Sequence, residues 1–157
     1  MRRARVIVLG TAVLMHSYSA SAEATGATVG LAFCAAVRAS DEAAAEALMT
    51  AELQSAVAEL RASDAAFRNA SPTEKPPLGD GLRLTAFPDY PESCTVSAAT
   101  SESVVLTYAP AGAPDAVWRD QLLLVPVDGA LRIADILYAP DGTYRFSGWL
   151  AESRNWK

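Results

Sequence analysis

The chain has 157 residues, 51% of them apolar and 20% charged, which is one ordinary domain's worth and too hydrophobic for a disordered polymer. No run reaches the roughly 18 apolar residues that a membrane-spanning helix needs. With 18 acidic side chains against 13 basic ones, the chain is also a poor binder of nucleic-acid phosphates.

Arg2, Arg3 and Arg5 make a basic start, Val6 to Met15 an apolar run, and Ser19-Ala20-Ser21-Ala22 sets small residues where a signal peptidase reads. That three-part pattern is a secretory signal, so residues 1–22 are expected to be removed and residues 23–157 to form one domain. Ala24 is the second candidate for the cleavage position. The Arg2-Arg3 pair hints at twin-arginine export, but Arg5 stands where that signal wants apolar bulk, and general secretion fits better. A periplasmic or secreted location follows, and no lipid anchor is expected because no Cys follows the cleavage site. Cleavage takes away three arginines and no acids, leaving 10 basic side chains against 18 acidic. It also takes away His16, the one histidine in the chain. A mature protein without histidine has no Ser-His-Asp or Cys-His nucleophile and no histidine-ligated metal. No metal or nucleotide motif stands elsewhere, so no cofactor is expected. The two cysteines, Cys34 and Cys94, read as a disulfide in an exported chain.

Val29, Phe33, Ala36 and Val37 recur at helical spacing between Thr28 and Arg38, with Cys34 on the flank of the stripe. Ser40, followed by Asp41 and Glu42, reads as a helix start, and a second helix, or a continuation after a kink, runs from Asp41 through Leu48. Leu53, Ala56, Val57 and Leu60 mark a further helix extending to Phe67, with alanine supplying propensity throughout. The acids at 41, 42, 46, 52 and 59 read as a solvated face. Three prolines (72, 76, 77) and two glycines (79, 81) make residues 71–81 a loop.

Beyond Gly81 the period becomes strand-like. Leu82 to Phe87 alternates, Cys94 to Ala98 and Ser103 to Tyr108 are strands, and Ala116 to Val127 is a long one. Asp128-Gly129 is a hairpin turn, with Ala130 to Tyr138 returning. Pro140-Asp141-Gly142 turns again, and Tyr144 to Ala151 is a short closing strand or helical turn. Helices followed by strands predict an α+β fold.

A two-residue turn at Asp128-Gly129 sets Val125 opposite Arg132, Leu124 opposite Ile133, Leu122 opposite Asp135 and Asp120 opposite Leu137. Period 2 then gathers Trp118, Asp120, Leu122, Leu124, Leu131, Ile133, Asp135 and Leu137 on one face. The other face carries Arg119, Leu123, Val125, Ile136 and Tyr138. Helices cover one face of a two-layer domain, so the other has to curl, meet a partner such as a second copy of this chain, or hold a ligand. Asp120 and Asp135 become diagonal neighbours among apolar side chains, where two carboxylates raise each other's pKa. Salt bridges to Arg83, Arg61 or Arg119 are the commoner arrangement, with Arg83 the first candidate partner for Asp135.

The run Trp118-Arg119-Asp120-Gln121-Leu122-Leu123-Leu124-Val125, the Asp128-Gly129 turn, and the return from Leu131 through Arg132, Ile133, Asp135 and Ile136 to Tyr138 resemble the closing hairpin of the nuclear transport factor 2-like (cystatin-like cone) superfamily. More narrowly, they are similar to small secreted bacterial domains of that superfamily. Leu131 departs from the tryptophan common at that position. The resemblance implies N-terminal helices packed on a curved antiparallel sheet that forms a cone with a pocket. Some relatives place an acid and a tyrosine in that cone, but their catalytic motifs do not align here, so no catalytic residue is carried over.

Two functions are therefore set side by side. The first is a non-enzymatic exported domain that binds a small molecule, an envelope component or a partner protein, an immunity or inhibitor protein included, with Tyr108, Trp118, Asp120, Asp135 and Tyr138 as pocket candidates. The alternative is a small cone enzyme moving protons, with Asp120 or Asp135 as base and Tyr108 or Tyr138 as donor. An unpaired acid facing a hydroxyl in the interior distinguishes the second from the first.

Overall fold

Thr25 caps the first helix, α1 (Gly26–Arg38), by accepting a hydrogen bond from the Thr28 amide. The computed structural model describes residues 25–79, 81–87, 91–139 and 142–155. The expected signal segment, residues 1–22, lies outside them, as do Pro140 and Asp141 of the last turn. The stripe of Val29, Phe33, Ala36 and Val37 is buried as its spacing predicts, and Cys34 with it. Two glycines let this helix lie close on its neighbours: a Cβ at Gly30 would come within 2.6 Å of Val104 Cγ1, and one at Gly26 within 2.0 Å of the Thr100 carbonyl oxygen. Cys34 is bonded to Cys94, with Cα atoms 5.4 Å apart. That bond fastens α1 to the first strand.

Helix α2 (Glu42–Glu46) is one turn and a half, capped by Asp41, whose carboxylate accepts from the Ala44 amide at 2.9 Å. Ser40, read as the helix start, instead takes a left-handed backbone (φ 55°) between α1 and α2. Thr50 caps the long helix α3 (Ala51–Ala70), which buries Leu53, Val57 and Leu60 and runs three residues past Phe67. Its Asp64 bonds Arg68 at 2.7 Å and accepts from the Leu78 amide at 2.9 Å, which ties the proline-rich loop back to the helix. The acids of this region are not simply solvated. Arg61 grips both Glu42 and Glu46, Arg154 reaches Glu59, and Glu42 also accepts from the Leu82 amide at 2.8 Å.

The strands β1 (Ser93–Ala99), β2 (Ser103–Ala109), β3 (Trp118–Val127), β4 (Ala130–Tyr138) and β5 (Tyr144–Arg145) form one antiparallel sheet in sequence order. The chain closes with α4 (Phe146–Arg154), so the segment read as a strand or helical turn is two residues of strand and then helix. The fold is thus α+β, helices followed by an antiparallel sheet that does not close on itself. Helix α1 packs on β1 and β2, α4 on β4, and α3 against α4. Phe33, Leu60, Leu106, Leu122, Ile133, Ile136, Phe146 and Leu150 fill one core between them, all 0% exposed.

Two further expectations are corrected. Leu82–Phe87 is not a strand, because its backbone groups bond side chains rather than a neighbouring strand. The Leu82 amide goes to Glu42, the Ala86 amide to Asp120, and the Arg83 carbonyl takes the Tyr138 hydroxyl. The second correction concerns register. Asp128 (φ 51°) and Gly129 (φ 79°) make the left-handed pair that a two-residue hairpin turn requires, and Leu124 does face Ile133. A β-bulge then intervenes: Leu123 faces Asp135, and Ala134 has no opposite residue. Beyond it Leu122 faces Ile136 and Asp120 faces Tyr138. The bulge exchanges the faces of the outer half of β4, bringing Ile136 and Tyr138 inside and turning Asp135 and Leu137 away from Asp120.

Candidate functional site

Asp120 lies two residues into β3 with its side chain on the helix-covered face, 1% exposed. Each carboxylate oxygen accepts one backbone N–H: Oδ2 from Ala86 at 3.0 Å, Oδ1 from Ala139 at 3.3 Å. Ala86 belongs to the irregular segment 82–87. Ala139 follows β4 directly and holds a left-handed φ of 65°, which turns the chain out of the sheet. One carboxylate therefore pins two separate loops to the sheet. It makes no ion pair among the described residues. Burial pushes its pKa up to about 6, against the two amide hydrogen bonds and the charge of Arg83, which pull the other way.

Around Asp120 stand three aromatic residues and one cation. Tyr108, opposite Trp118 on the neighbouring strand, is fully buried and stacks on the Trp118 ring at 5.4 Å. Burial first, and then the charge of Asp120, push its hydroxyl well above the ordinary tyrosine range. Tyr138, opposite Asp120, donates its hydroxyl to the Arg83 carbonyl, and burial raises its pKa as well. The Arg83 guanidinium lies over the rings of Tyr138 and Tyr144, 5.6 Å and 5.8 Å from their centroids, and donates from Nη2 to the Ala86 carbonyl at 2.9 Å. Phe87 meets the Trp118 ring edge-on at 5.0 Å and is 55% exposed.

Three buried polar atoms in this cluster have no hydrogen-bond partner among the described residues: the Tyr108 hydroxyl, Trp118 Nε1 and Arg83 Nε. Buried donors are nearly always satisfied, so three in one cluster call for an explanation. Trp118 is also a wall of a hollow of about 350 Å3, together with Ala86, Phe87, Val117, Arg119 and Ala139. The two residues whose amides Asp120 holds are thus two walls of this hollow. A larger hollow of about 480 Å3 lies at the other end of β3, between the start of α1 and the β3–β4 turn. Its described walls, including Thr25, Ala99, Thr100, Pro126 and Leu131, carry no ionisable group, whereas Asp120 holds two walls of the smaller one. Among the described residues no group of three His, Cys, Asp or Glu could hold a metal ion.

Of the five candidates named from sequence, the structure brings Tyr108, Trp118, Asp120 and Tyr138 together and sets Asp135 apart. Asp135 is 7% exposed and accepts from the Ser147 amide at 3.0 Å, the Ser147 hydroxyl at 2.6 Å and its neighbour Ile136 at 2.9 Å. Arg145 Nη1 stands 3.7 Å away. Its partners are therefore Ser147 and Arg145 rather than Arg83, because the bulge turns it toward the start of α4. Residue Arg145, the N-cap of α4, caps nothing with its own side chain, and Asp135 does that work from across the chain. Asp135→Asn is expected to cost about 1–3 kcal/mol in urea unfolding through its weakened bonds to Ser147. An equally stable variant would remove this structural role.

Ala86, Phe87 and Ala139 were not legible as site residues. The alternation of 82–87 reads as a strand, and nothing local says that Ala86 donates to a carboxylate 34 residues later. Comparison with protein-family models, with curated proteins and with solved structures gives no match for this chain.

Proposed function

We propose that this protein is an exported, non-enzymatic binding domain of the cone type whose ligand is a small, flat, apolar molecule carrying a hydrogen-bond acceptor. The observation that carries the reading is a set of buried donors without a partner among the described residues (the Tyr108 hydroxyl, Trp118 Nε1 and Arg83 Nε), one of which belongs to Trp118, a wall of the hollow that Phe87 also lines. Phe87 and Trp118 supply apolar faces for a planar ligand, and the buried donors behind them favour a carbonyl or ether oxygen over a bare hydrocarbon. The Cys34–Cys94 disulfide and the basic, apolar, small-residue start of the sequence support export.

The test is a titration with 2-acetonaphthone against naphthalene, followed through the indole N–H signal of Trp118. The ketone is expected to bind about fivefold more tightly, the worth of one satisfied hydrogen bond of roughly 1 kcal/mol. Trp118→Phe, which keeps an aromatic ring and drops the N–H, should remove that preference. Equal affinity for both compounds, or no binding by either, overturns the proposal.

A second reading has one specific observation in its favour. An acid with a pKa of about 6 beside a tyrosine with a free hydroxyl is the equipment of a proton-transfer catalyst. On that reading, deuterium from the solvent enters the methyl group of 2-acetonaphthone in the presence of the protein and does not with Asp120→Asn.

A further inference from the structure

Ala86 and Ala139 approach the hollow from different parts of the chain, one from the segment between α3 and β1 and one from the end of β4. Neither is hydrogen-bonded through its amide to the backbone of the sheet. Both amides end on the same side chain, Ala86 on Oδ2 and Ala139 on Oδ1 of Asp120. The first half of segment 82–87 is anchored by Leu82 and Leu84 in the core, and its other hydrogen bonds to the sheet or helices among the described residues are Leu82 to Glu42 and the Tyr138 hydroxyl on the Arg83 carbonyl, so Asp120 holds its second half. The carboxylate that closes the far end is 1% exposed and has no ion pair among the described residues.

We propose that Asp120 is a pH-operated clasp on the hollow: ionised, it draws the Ala86 and Ala139 walls onto the sheet, and protonated, it lets one wall go and opens a way to the buried donors behind. The physical reason is the acceptor count. A carboxylate offers two equivalent charged oxygens to two amides, whereas a carboxylic acid keeps one good acceptor and turns the other oxygen into a donor. The amide held at 3.3 Å, that of Ala139, is the weaker of the two and the first to be released.

Among the described residues, the groups facing Asp120 leave it as the one that changes charge between pH 4.5 and 8. From segment 82–87 comes the guanidinium cation of Arg83. From β2 comes Tyr108 and from β4 Tyr138, both with hydroxyls raised above the ordinary tyrosine range. Arg119 shares the strand and points to the opposite face. Tyr144 lies beyond Arg83, and Asp135 beyond Tyr138, bonded to Ser147. The raised carboxyl of Asp120, near 6, puts the change inside the accessible range.

The clasp is tested on the whole folded protein by following the backbone amide signals of Ala86 and Ala139 by NMR from pH 4.5 to 8. Both are expected to move on one titration curve with a midpoint near 6. Hydrogen exchange at Ala139, corrected for its intrinsic pH dependence, should be about tenfold faster below the midpoint than above it. Amides that do not titrate, or that titrate equally in Asp120→Asn, overturn the proposal. If Asp120→Asn fails to fold, Arg83→Gln serves instead. It keeps the carboxyl and both amides but removes the nearby cation, so the midpoint must move upward, and an unmoved or lowered midpoint overturns the clasp.

The opening of a ligand path rests on the binding function proposed above, and 2-acetonaphthone separates the two. Titrating amides with no binding at any pH leave the clasp standing and remove the binding reading. Binding that is equal at pH 5 and pH 8, with amides that do not titrate, keeps the binding reading and removes the clasp. Binding several-fold tighter at pH 5, on the same midpoint as the amides, supports both.

Discussion

Reducing the Cys34–Cys94 bond is expected to lower the stability of the protein by about 4 kcal/mol, a loss of roughly 10 °C in Tm. The two cysteines are 60 residues apart, and cross-linking them removes the loop-closure freedom of the unfolded chain over that whole span. The folded side of the equilibrium adds to the effect. Strand β1 has a single hydrogen-bonded neighbour, β2, and most of its residues are exposed. What holds it besides that ladder is α1, through the disulfide and through Val96 and Cys94 packed on the core. A domain of this size has a total stability of roughly 5–15 kcal/mol, so this one bond supplies a large share. Urea unfolding of the oxidised protein and of the double variant Cys34→Ala/Cys94→Ala measures it. Alanine avoids setting a new hydroxyl at Cys34, which is 4% exposed. A loss below about 1 kcal/mol contradicts the chain-entropy argument.

The helices and the pairing of the cysteines were legible because their signals are local or countable. Val29, Phe33, Ala36 and Val37 sit on one face by spacing alone, as do Leu53, Val57 and Leu60, and the structure buries every one of them. The turn at Asp128-Gly129 was legible too, since only a few residue pairs accept two successive left-handed backbones. The bulge at Ala134 was not. Ile133 is held on its far side by the Leu48 carbonyl and the Thr50 amide, at 2.8 and 2.9 Å, and pairs with Leu124 on its near side. Those bonds come from a loop 85 residues upstream, and a pattern of alternation cannot report them. The consequence was specific. A strict period of 2 groups Asp120 with Asp135 and separates it from Tyr138, whereas one inserted residue does the reverse.

The site was legible as residue types and not as an arrangement. Asp120 drew notice as an acid among leucines, and Tyr108, Trp118 and Tyr138 as aromatics on the same strands. What gives the site its character is a segment with no regular structure, 82–87, laid over the sheet end by bonds to Glu42, Asp120 and Tyr138. Leu82 and Leu84 are buried in the core, which is why the segment alternates like a strand without being one. Burial on one side imposes the same period that a half-buried strand has, and the hydrogen-bond partners decide between the two.

Stability should rise, not fall, as the pH is lowered from 7.5 to 4.5. The carboxyl of Asp120 moves from 3.8 to about 6 on folding, chiefly because burial penalises its charged form. Between those two values the folded protein holds a proton that the unfolded chain has released, so stability declines as pH rises through the window. The full shift of about two units is worth roughly 3 kcal/mol, of which about 2 kcal/mol falls between pH 4.5 and 7.5. Asp64 has the opposite sign. Burial works to raise it, but the hydrogen bonds from Arg68 and the Leu78 amide and the charge of Arg68 hold it below 3.8, so its contribution is lost only as the pH falls lower still. For these two groups together, stability is greater at pH 4.5 than at pH 7.5. Urea unfolding at pH 4.5, 6 and 7.5, repeated with Asp120→Asn, isolates the buried acid, since the variant keeps every other carboxylate. The native protein should lose about 2 kcal/mol across the series while the variant stays flat. A native protein most stable at pH 7.5 would mean that Asp120 is ionised at little cost, and with that result the clasp would lose its means of opening near neutral pH.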